Sequence, residues 1–442
     1  MHQDTIFAPA TAPGRAALAI VRISGPRAAA ALETLAGKLP APRRLTRRTL
    51  QDSCTKETLD DALVVLFPGP ASATGEDVVE LHLHGGRAVV AAVCDRLALI
   101  EGLRLADPGE FTRRAFLNDR IDLTTAEGIH DLVDAETDAQ RRQALRQATG
   151  GLAAALDGWR VALIDAMARL EAFIDFPDED LPESLQDEIR VRLDTLRGDM
   201  ERALADGGRA ERVRDGLRIA ILGAPNAGKS TLLNWLAQRE VAIVSATAGT
   251  TRDVLEVQMD IGGYAVTVAD TAGLRETPDE IEAEGVRRAL VRAEAADLTL
   301  VLADAGEGAA GRDAVSPLLG PNALAVATKT DAAAGTVPDP WTALSVRSGA
   351  GTERFLETLR TAVAERVDRV GSVALTRARH REAVGAAAAA LGRSLDALAV
   401  GEPLEIAAED LRLAAGALGR VLGRVDVEEI LDRIFAEFCL GK

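Results

Sequence analysis

Lysine is nearly absent from this chain. Of 51 basic side chains in 442 residues only five are lysine: Lys38, Lys56, Lys229, Lys329 and Lys442. A chain built on arginine keeps lysine where a compact ammonium does what a planar guanidinium cannot, so these five positions are worth following. Cysteine is also scarce. Cys54, Cys94 and Cys439 are too few for a disulfide framework and fit a reducing cytoplasm. No Cys or His cluster has zinc spacing. No apolar run approaches the roughly 18–20 residues of a membrane span. The N-terminus lacks a basic start followed by an apolar stretch, so neither a membrane segment nor a signal peptide is expected. Basic charge is in deficit, with a net charge of −17. That excludes a protein that coats nucleic acid unaided; an RNA would need a local patch or a more basic partner. The stretch "RRLTRR", Arg43 to Arg48, is a candidate patch, with a solvated loop as the plainer alternative.

What is present divides the chain. Its length suits about three domains, and an apolar content of 47% excludes a disordered chain. Residues 1–118 mix strand-like runs ("AALAIVRIS", "ALVVLFPG") with a helical one ("GGRAVVAAVCDRLALI"), an α+β texture. Residues 119–213 read as long helices, interrupted at "FPDEDLPES", with a linker expected at Gly207–Gly208. Residues 214–371 alternate strands and helices, which implies a mainly parallel, doubly wound sheet. Residues 372–442 are helical again. The expected fold is therefore multidomain α/β and α, with a sheet domain inserted into a helical one.

The strongest motif is "GAPNAGKS", Gly223 to Ser230, between the strand "LRIAIL" and the helix "TLLNWLAQ". This is the context a phosphate-binding P-loop requires. Glycines let backbone amides curl around phosphates, Lys229 reaches the β and γ phosphates, and the Ser230 hydroxyl ligates Mg²⁺. "DTAG", Asp270, Thr271, Ala272 and Gly273, follows a strand; Asp270 can hold the magnesium shell and the Gly273 amide can sense the γ phosphate. In "TKTD", Thr328 to Asp331, the aspartate can accept the N1–H and N2 amino hydrogens of guanine, which adenine does not offer. The amides of Ser345 and Val346 can approach guanine O6. These pieces predict a GTPase. It departs from the usual pattern twice. Thr328 stands where Asn is usual, so weaker tethering is expected. Leu274 stands where many GTPases carry a water-orienting glutamine.

"GAPNAGKS", "ATAGTTRD", "DTAGLRET", "VRISG", "TGEDVVELHLHGG", "PGEFTRRAFLNDRIDL" and the terminal "CLGK" together resemble the bacterial tRNA modification GTPase MnmE (TrmE) family over nearly the whole chain. The resemblance implies a cytoplasmic homodimer without a membrane role, working with the flavin-dependent MnmG (GidA) protein. The pair would add an aminomethyl or carboxymethylaminomethyl group to carbon-5 of the wobble uridine of certain tRNAs. A 5-formyl- or 5,10-methylene-tetrahydrofolate would supply the carbon, and GTP hydrolysis would require K⁺. The family's potassium ligands fall on Asn226, Ser245, Thr247 and Thr250, where a cation would neutralise developing charge as an arginine finger does elsewhere. Thr251 falls on the second magnesium ligand. Glu282 falls on the residue that orients the attacking water through a bridging one, with a plain surface carboxylate as the alternative. The candidate nucleotide contacts are Asn226, Ala227, Gly228, Lys229, Ser230 and Thr231, then Ser245, Ala246, Thr247, Ala248, Gly249, Thr250 and Thr251, then Asp270, Thr271, Ala272 and Gly273, and finally Thr328, Lys329, Asp331, Ser345 and Val346.

In "VVELHLHGG" side chains alternate, with Glu80, His82 and His84 on one face. Their residue types admit a metal site or a half-solvated polar face; the resemblance makes Glu80 a folate contact. It assigns the same ligand to Arg22, to Arg120 (where Lys is common) and to the terminal Lys442, whose tail would then fold back to the N-terminal domain or reach that of the other subunit. Cys439 belongs to the family pattern and can be a nucleophile if its pKa is depressed, or a structural element. Its position four from the end also fits a prenylated tail, but Gly441 and Lys442 suit that poorly. Two other classes remain: a regulatory or ribosome-assembly GTPase without folate chemistry, and a folate-dependent transferase with a regulatory GTPase domain.

Overall fold

The computed structural model describes residues 4–175, 183–242, 256–270, 296–333, 336–367, 373–425, 428–436, 438, 439 and 441. The chain divides into two compact units: Met1–His130 with Leu156–Arg160 and Gly416–Lys442, and Asp131–Ala155 with Val161–Ala415.

In the first unit the strands β1 (Thr5–Pro9), β2 (Leu18–Ser24), β3 (Thr46–Gln51), β4 (Thr58–Phe67), β5 (Val78–His84) and β6 (Leu103–Leu105) form one sheet in the order β3-β4-β5-β2-β1-β6. Neighbours are antiparallel except β1 and β6. Helices α1 (Ala28–Ala36) and α2 (Arg87–Ala98) cover one face. Val21, Ile23, Val79, Leu81 and Leu83 pack there with Leu32, Val93 and Leu97. On the other face Ile6 and Ala8 meet Ala106 and Phe111, the latter from α3 (Glu110–Leu117). The period of two thus buries the odd residues of β2 and β5 and leaves Arg22, Glu80 and His82 on the opposite face. The "RRLTRR" stretch is only partly the loop expected of it. Thr46 to Arg48 belong to β3, an edge strand, where Arg47 pairs across to Asp61 of β4.

Helix α4 (Leu123–Asp134) starts on Asp122, whose carboxylate accepts from the Thr124 and Thr125 amides. Next come α5 (Asp138–Ala148), which opens with a Thr137–Gln140 capping box, then α6 (Gly151–Asp175) and α7 (Glu183–Asp215). The linker expected at Gly207–Gly208 is instead helical, inside α7. The reason is packing: a Cβ at Gly207 would lie 2.8 Å from Cδ of Arg381. The glycine admits a neighbouring side chain rather than breaking the helix.

The second unit continues with β7 (Leu217–Gly223), α8 (Lys229–Arg239), β8 (Val241–Ala242), β9 (Glu256–Ile261), β10 (Tyr264–Asp270), β11 (Leu298–Asp304), α9 (Gly308–Val315), β12 (Ala323–Thr328), β13 (Thr342–Ala343) and α10 (Thr352–Val367). Its seven strands run in the order β13-β12-β11-β7-β10-β9-β8, the first five parallel, with β9 antiparallel to both of its neighbours, β10 and β8. Ile219, Ile221, Val268, Leu300 and Val326 pack with Leu232, Leu236, Phe355 and Leu359 on one side. Val301 and Ala303 pack with Val315 of α9 on the other. Nearly continuous apolar strands covered on both faces are what a parallel sheet requires. The mainly parallel, doubly wound expectation therefore holds.

Helices α11 (Ala378–Val400) and α12 (Leu404–Leu422) follow. Among the described residues α11 is the one helix long and apolar enough to cross a membrane, which a search for unbroken apolar runs passes over. Its Val384, Ala387, Leu391 and Ser394 are buried, and the Ser394 hydroxyl donates to the Ala407 carbonyl. The last helix, α13 (Glu428–Ala436), belongs to the first unit. Its Leu431 and Phe435 join Phe438, Leu123 and Ala126 in a small core.

Candidate functional site

The parallel strands of the second unit end at one edge, within a few residues of one another. Asp304 is in register with Thr328, Leu302 with Gly223, and Asp270 with Ile221. Ligands of such sheets bind at this carboxyl edge. Gly223 has φ 155°, and a Cβ there would lie 2.5 Å from the Leu302 carbonyl oxygen, so only glycine lets the loop leave β7 so close to β11. Asn226 and Gly228 also have positive φ, and Lys229 opens α8. The Lys229 ammonium donates to the carbonyls of Gly223 and Ala224, both at 2.9 Å. Asn226, Ser230 and Thr231 are exposed at the mouth, whereas Ala227 is buried beneath it.

Thr328 is buried, and its hydroxyl lies 2.7 Å from the Ala227 carbonyl and 3.2 Å from that of Ala303. It thus ties the end of β12 to the phosphate loop, the tether whose weakening the Asn-to-Thr departure suggested. Lys329, at φ 56°, places its ammonium 2.7 Å from Asp304. That hydrogen bond, with the Gly306 amide, holds the Asp304 carboxyl below its usual pKa. Asp331 accepts from the Ser345 hydroxyl at 2.6 Å, and this bond lowers its pKa. The Ser345 oxygen accepts in turn from the Ser348 amide at 3.2 Å. Asp331 and Ser345 are therefore brought together, and Val346 packs against the same core.

On the first unit's sheet, register sets Arg22 opposite Glu80. Arg22 Nε and Nη2 both donate to Glu80 Oε1, at 3.2 and 3.0 Å. His82 Nε2 lies 3.3 Å from Glu80 Oε2. The Arg22 guanidinium also stands 5.7 Å over the Phe111 ring. The pair is partly open, at 28% and 18% exposure. His84 turns away: its Nδ1 meets Asp60 at 2.7 Å, so Glu80, His82 and His84 do not converge on one point. Among the described residues no cluster of three or more such groups could hold a metal ion. Arg120 is exposed, its stem beside Gly75. The tail reaches this sheet. Gly441, at φ 94°, is so close to β1 that a Cβ would lie 2.0 Å from the Pro9 carbonyl oxygen. The Cys439 carbonyl accepts from the Gly109 amide at 3.4 Å, and Phe438 stacks on His130 at 4.7 Å. Cys439 itself is exposed.

Two family models match the chain, the GTP-binding protein TrmE N-terminus over residues 5–120 and the MnmE helical domain over residues 123–439. The tRNA modification GTPase MnmE of Rhodospirillum rubrum is 53% identical over 460 aligned residues, covering 100% of both chains. Its namesake in Paramagnetospirillum magneticum is 55% identical over 446, covering 99% of this chain and 100% of its own. The chain belongs to the MnmE family of tRNA modification GTPases. Among solved structures, the G domain of the T. maritima FeoB iron transporter is 22% identical, covering 34% of this chain and 99% of its own with a TM-score of 0.27.

As a member of the MnmE family the chain is a P-loop GTPase that binds GTP and acts in tRNA modification. Several expected residues lie outside those described: Ser245, Ala246, Thr247, Ala248, Gly249, Thr250, Thr251, Thr271, Ala272, Gly273, Glu282 and Lys442. Asp270 is described as the last residue of β10.

Sequence reasoning missed Arg114, within the family's "PGEFTRRAFLNDRIDL". It is completely buried. Its guanidinium donates to Asp4 Oδ1 at 2.9 Å, to the Asp4 carbonyl at 3.0 Å, to Glu110 at 2.9 Å and to Glu76 at 3.2 Å. Glu76 also accepts from Ser24 at 2.7 Å. Burial opposes ionisation of Glu110, but hydrogen bonds from Arg104, the Asp107 amide and Arg114 outweigh it and keep its pKa low. Asp4 is held low in the same way by Arg104 and Arg114. The network braces the sheet end that carries Ser24, two residues beyond Arg22. No local pattern marks Arg114 as interior, because Asp4 is 110 residues away and Glu76 38.

Proposed function

We propose that this GTPase couples GTP hydrolysis to installation of an aminomethyl or carboxymethylaminomethyl group on carbon-5 of the wobble uridine. It would act as a cytoplasmic homodimer with a flavin-dependent MnmG-type partner, and with a one-carbon tetrahydrofolate as donor. In this reading residues 214–371 are the GTPase domain, inserted between the helical segments 119–213 and 372–442, and residues 1–118 hold the folate. The observation that carries the folate half is the Arg22–Glu80 pair on a sheet face, with the tail residue Gly441 seated against the strand next to it.

The Glu80 carboxylate, an acceptor, suits a flat heterocycle that presents N–H groups. Both hydrogen bonds from Arg22 go to Glu80 Oε1, so Oε2, whose one partner among the described residues is His82, retains accepting capacity. A second N–H could be accepted only if Arg22 or His82 gave way. Arg22, Glu80, Arg120 and Lys442 would hold the folate, which supplies a carbon at the formyl or methylene oxidation level. Cys439 lies in the segment that closes on this face and would shape it, or act as a nucleophile.

In the GTPase half, Lys229 would neutralise β and γ phosphate charge, and Ser230 and Thr251 would hold the magnesium ion. Asn226, exposed and at φ 63°, would face a K⁺ shared with Ser245, Thr247 and Thr250. That cation would stabilise the charge of the transferring phosphoryl group. Glu282 would position the attacking water. Asp331, pre-set by Ser345, would select guanine.

Mass spectrometry of wobble uridines in cells lacking the gene tests the reading. Loss of the carbon-5 substituents is expected, and their persistence would overturn it. GTP hydrolysis in K⁺ and in Na⁺ tests the cation separately; equal rates would remove the role given to Asn226.

A further inference from the structure

Between Lys38 and Arg48 the sequence has five cations and no acid. The fold gathers them at the β3 edge and treats them unequally. Arg47 is neutralised by Asp61. Among the described residues the other four meet no carboxylate. Arg48 donates from Nε to the Lys38 carbonyl at 3.1 Å and from Nη1 to the Arg47 carbonyl at 3.0 Å. Arg43 donates to the Ala71 carbonyl and lies 5.8 Å over the Phe67 ring. Arg44 is exposed. A carbonyl or a ring fixes a guanidinium without cancelling its charge, whereas a carboxylate does both. Elsewhere Arg141, Arg169, Arg197 and Arg393 lie against carboxylates. In a chain of net charge −17, this edge therefore gathers four cations with no carboxylate against them among the described residues, two of which, Arg43 and Arg48, are held in place by carbonyls.

We propose that Lys38, Arg43, Arg44 and Arg48 form a surface that binds the phosphate backbone of RNA. The cations are strung along a loop and an edge strand rather than converging in a cavity. That suits a chain of phosphates better than a single one. β3 is three strand spacings from β2, about 14 Å, so RNA held here passes close to the face that carries Arg22 and Glu80. The inference rests on the reading of tRNA as substrate.

Filter retention of an unmodified tRNA transcript by the full-length protein, across about 50–200 mM salt, tests it. The Arg43→Glu/Arg44→Glu/Arg48→Glu variant is expected to bind at least about tenfold more weakly. Its log affinity should fall with log salt by about two to three fewer units of slope. Arg44→Glu alone, which breaks no hydrogen bond made by that side chain, should shift both in the same direction by less. Arg44→Lys should retain binding. Unchanged GTP hydrolysis in all three variants reports an intact fold. Equal affinity and slope for wild type and both Glu variants would overturn the surface. So would retained tRNA binding with loss of a protein partner, which would make it a dock for an acidic protein. Failure of the wild type to bind tRNA at the lowest salt would overturn the underlying substrate reading as well.

Discussion

The nucleotide site and the Arg22–Glu80 face are held by different means. The phosphate loop is fixed by main chain. Lys229 and Thr328 both donate to carbonyls, and Gly223 owes its place to backbone clearance. The sheet face is fixed by charged side chains that meet across long sequence separations, Arg22 with Glu80 and Arg114 with Asp4, Glu76 and Glu110. A site made of backbone needs its residues consecutive. A site made of ion pairs needs only that the fold bring them together. The first should lose function sharply when one side chain is removed and keep its stability. The second should lose stability first.

The largest effect is therefore expected for Lys229→Ala. GTP hydrolysis should fall by about 100-fold or more, while the thermal unfolding midpoint moves little. Steady-state phosphate release and a thermal melt check the two halves together. A large drop in melting temperature would erase the contrast.

Arg114→Met should do the opposite. It leaves Asp4 and Glu110 with Arg104 alone and Glu76 without a cation, at a cost of about 3 kcal/mol. Chemical denaturation should show this, with GTP hydrolysis at low temperature nearly unchanged. The wild type also has a pH signature. Glu110 and Asp4 are held below their ordinary pKa values, so the unfolded chain binds more protons in the acid range. The stabilisation is present above their ordinary values and is lost as pH falls through the lowered ones. Denaturation curves between about pH 5 and 3 should steepen this loss in wild type relative to Arg114→Met.

Thr328→Ala removes one buried hydrogen bond to the loop. It should weaken GTP binding by about tenfold or less, read by titration with a fluorescent GTP analogue. An effect as large as that of Lys229→Ala would mean that Thr328 touches the nucleotide instead of tethering the loop. The smallest effect is expected for Gly441→Ala. Its Cβ would meet the Pro9 carbonyl, so the tail should undock and the Gly109 amide, which donates to Cys439, should exchange faster. Unchanged exchange would show that the tail tolerates displacement without releasing Gly109.

The same division explains what was legible in the sequence. "GAPNAGKS" and "TKTD" are contiguous and follow apolar strands, so motif and context are read together. The alternation of "VVELHLHGG" placed Glu80 on the correct face because the period of a strand is local. Gly207–Gly208 was misread because a glycine pair has the same local signal whether it ends a helix or makes room for Arg381. "RRLTRR" hid half of an edge strand because arginine has no apolar alternation to display. Arg114 was invisible for a related reason: in "EFTRRAFLNDR" a buried cation looks like any surface one until Asp4 and Glu76 arrive from elsewhere.

Helix α7 has 33 residues, a length of about 50 Å. It ends at Asp215, and β7 begins at Leu217, so a single residue separates this rod from the strand that runs into the phosphate loop. Such a joint has few soft torsions in which to lose a rotation. A tilt of about 5° at the base of β7, carried rigidly along α7, would become a displacement of about 4 Å at its far end. The phosphate loop thus sits at the short arm of a lever whose long arm lies in the helices.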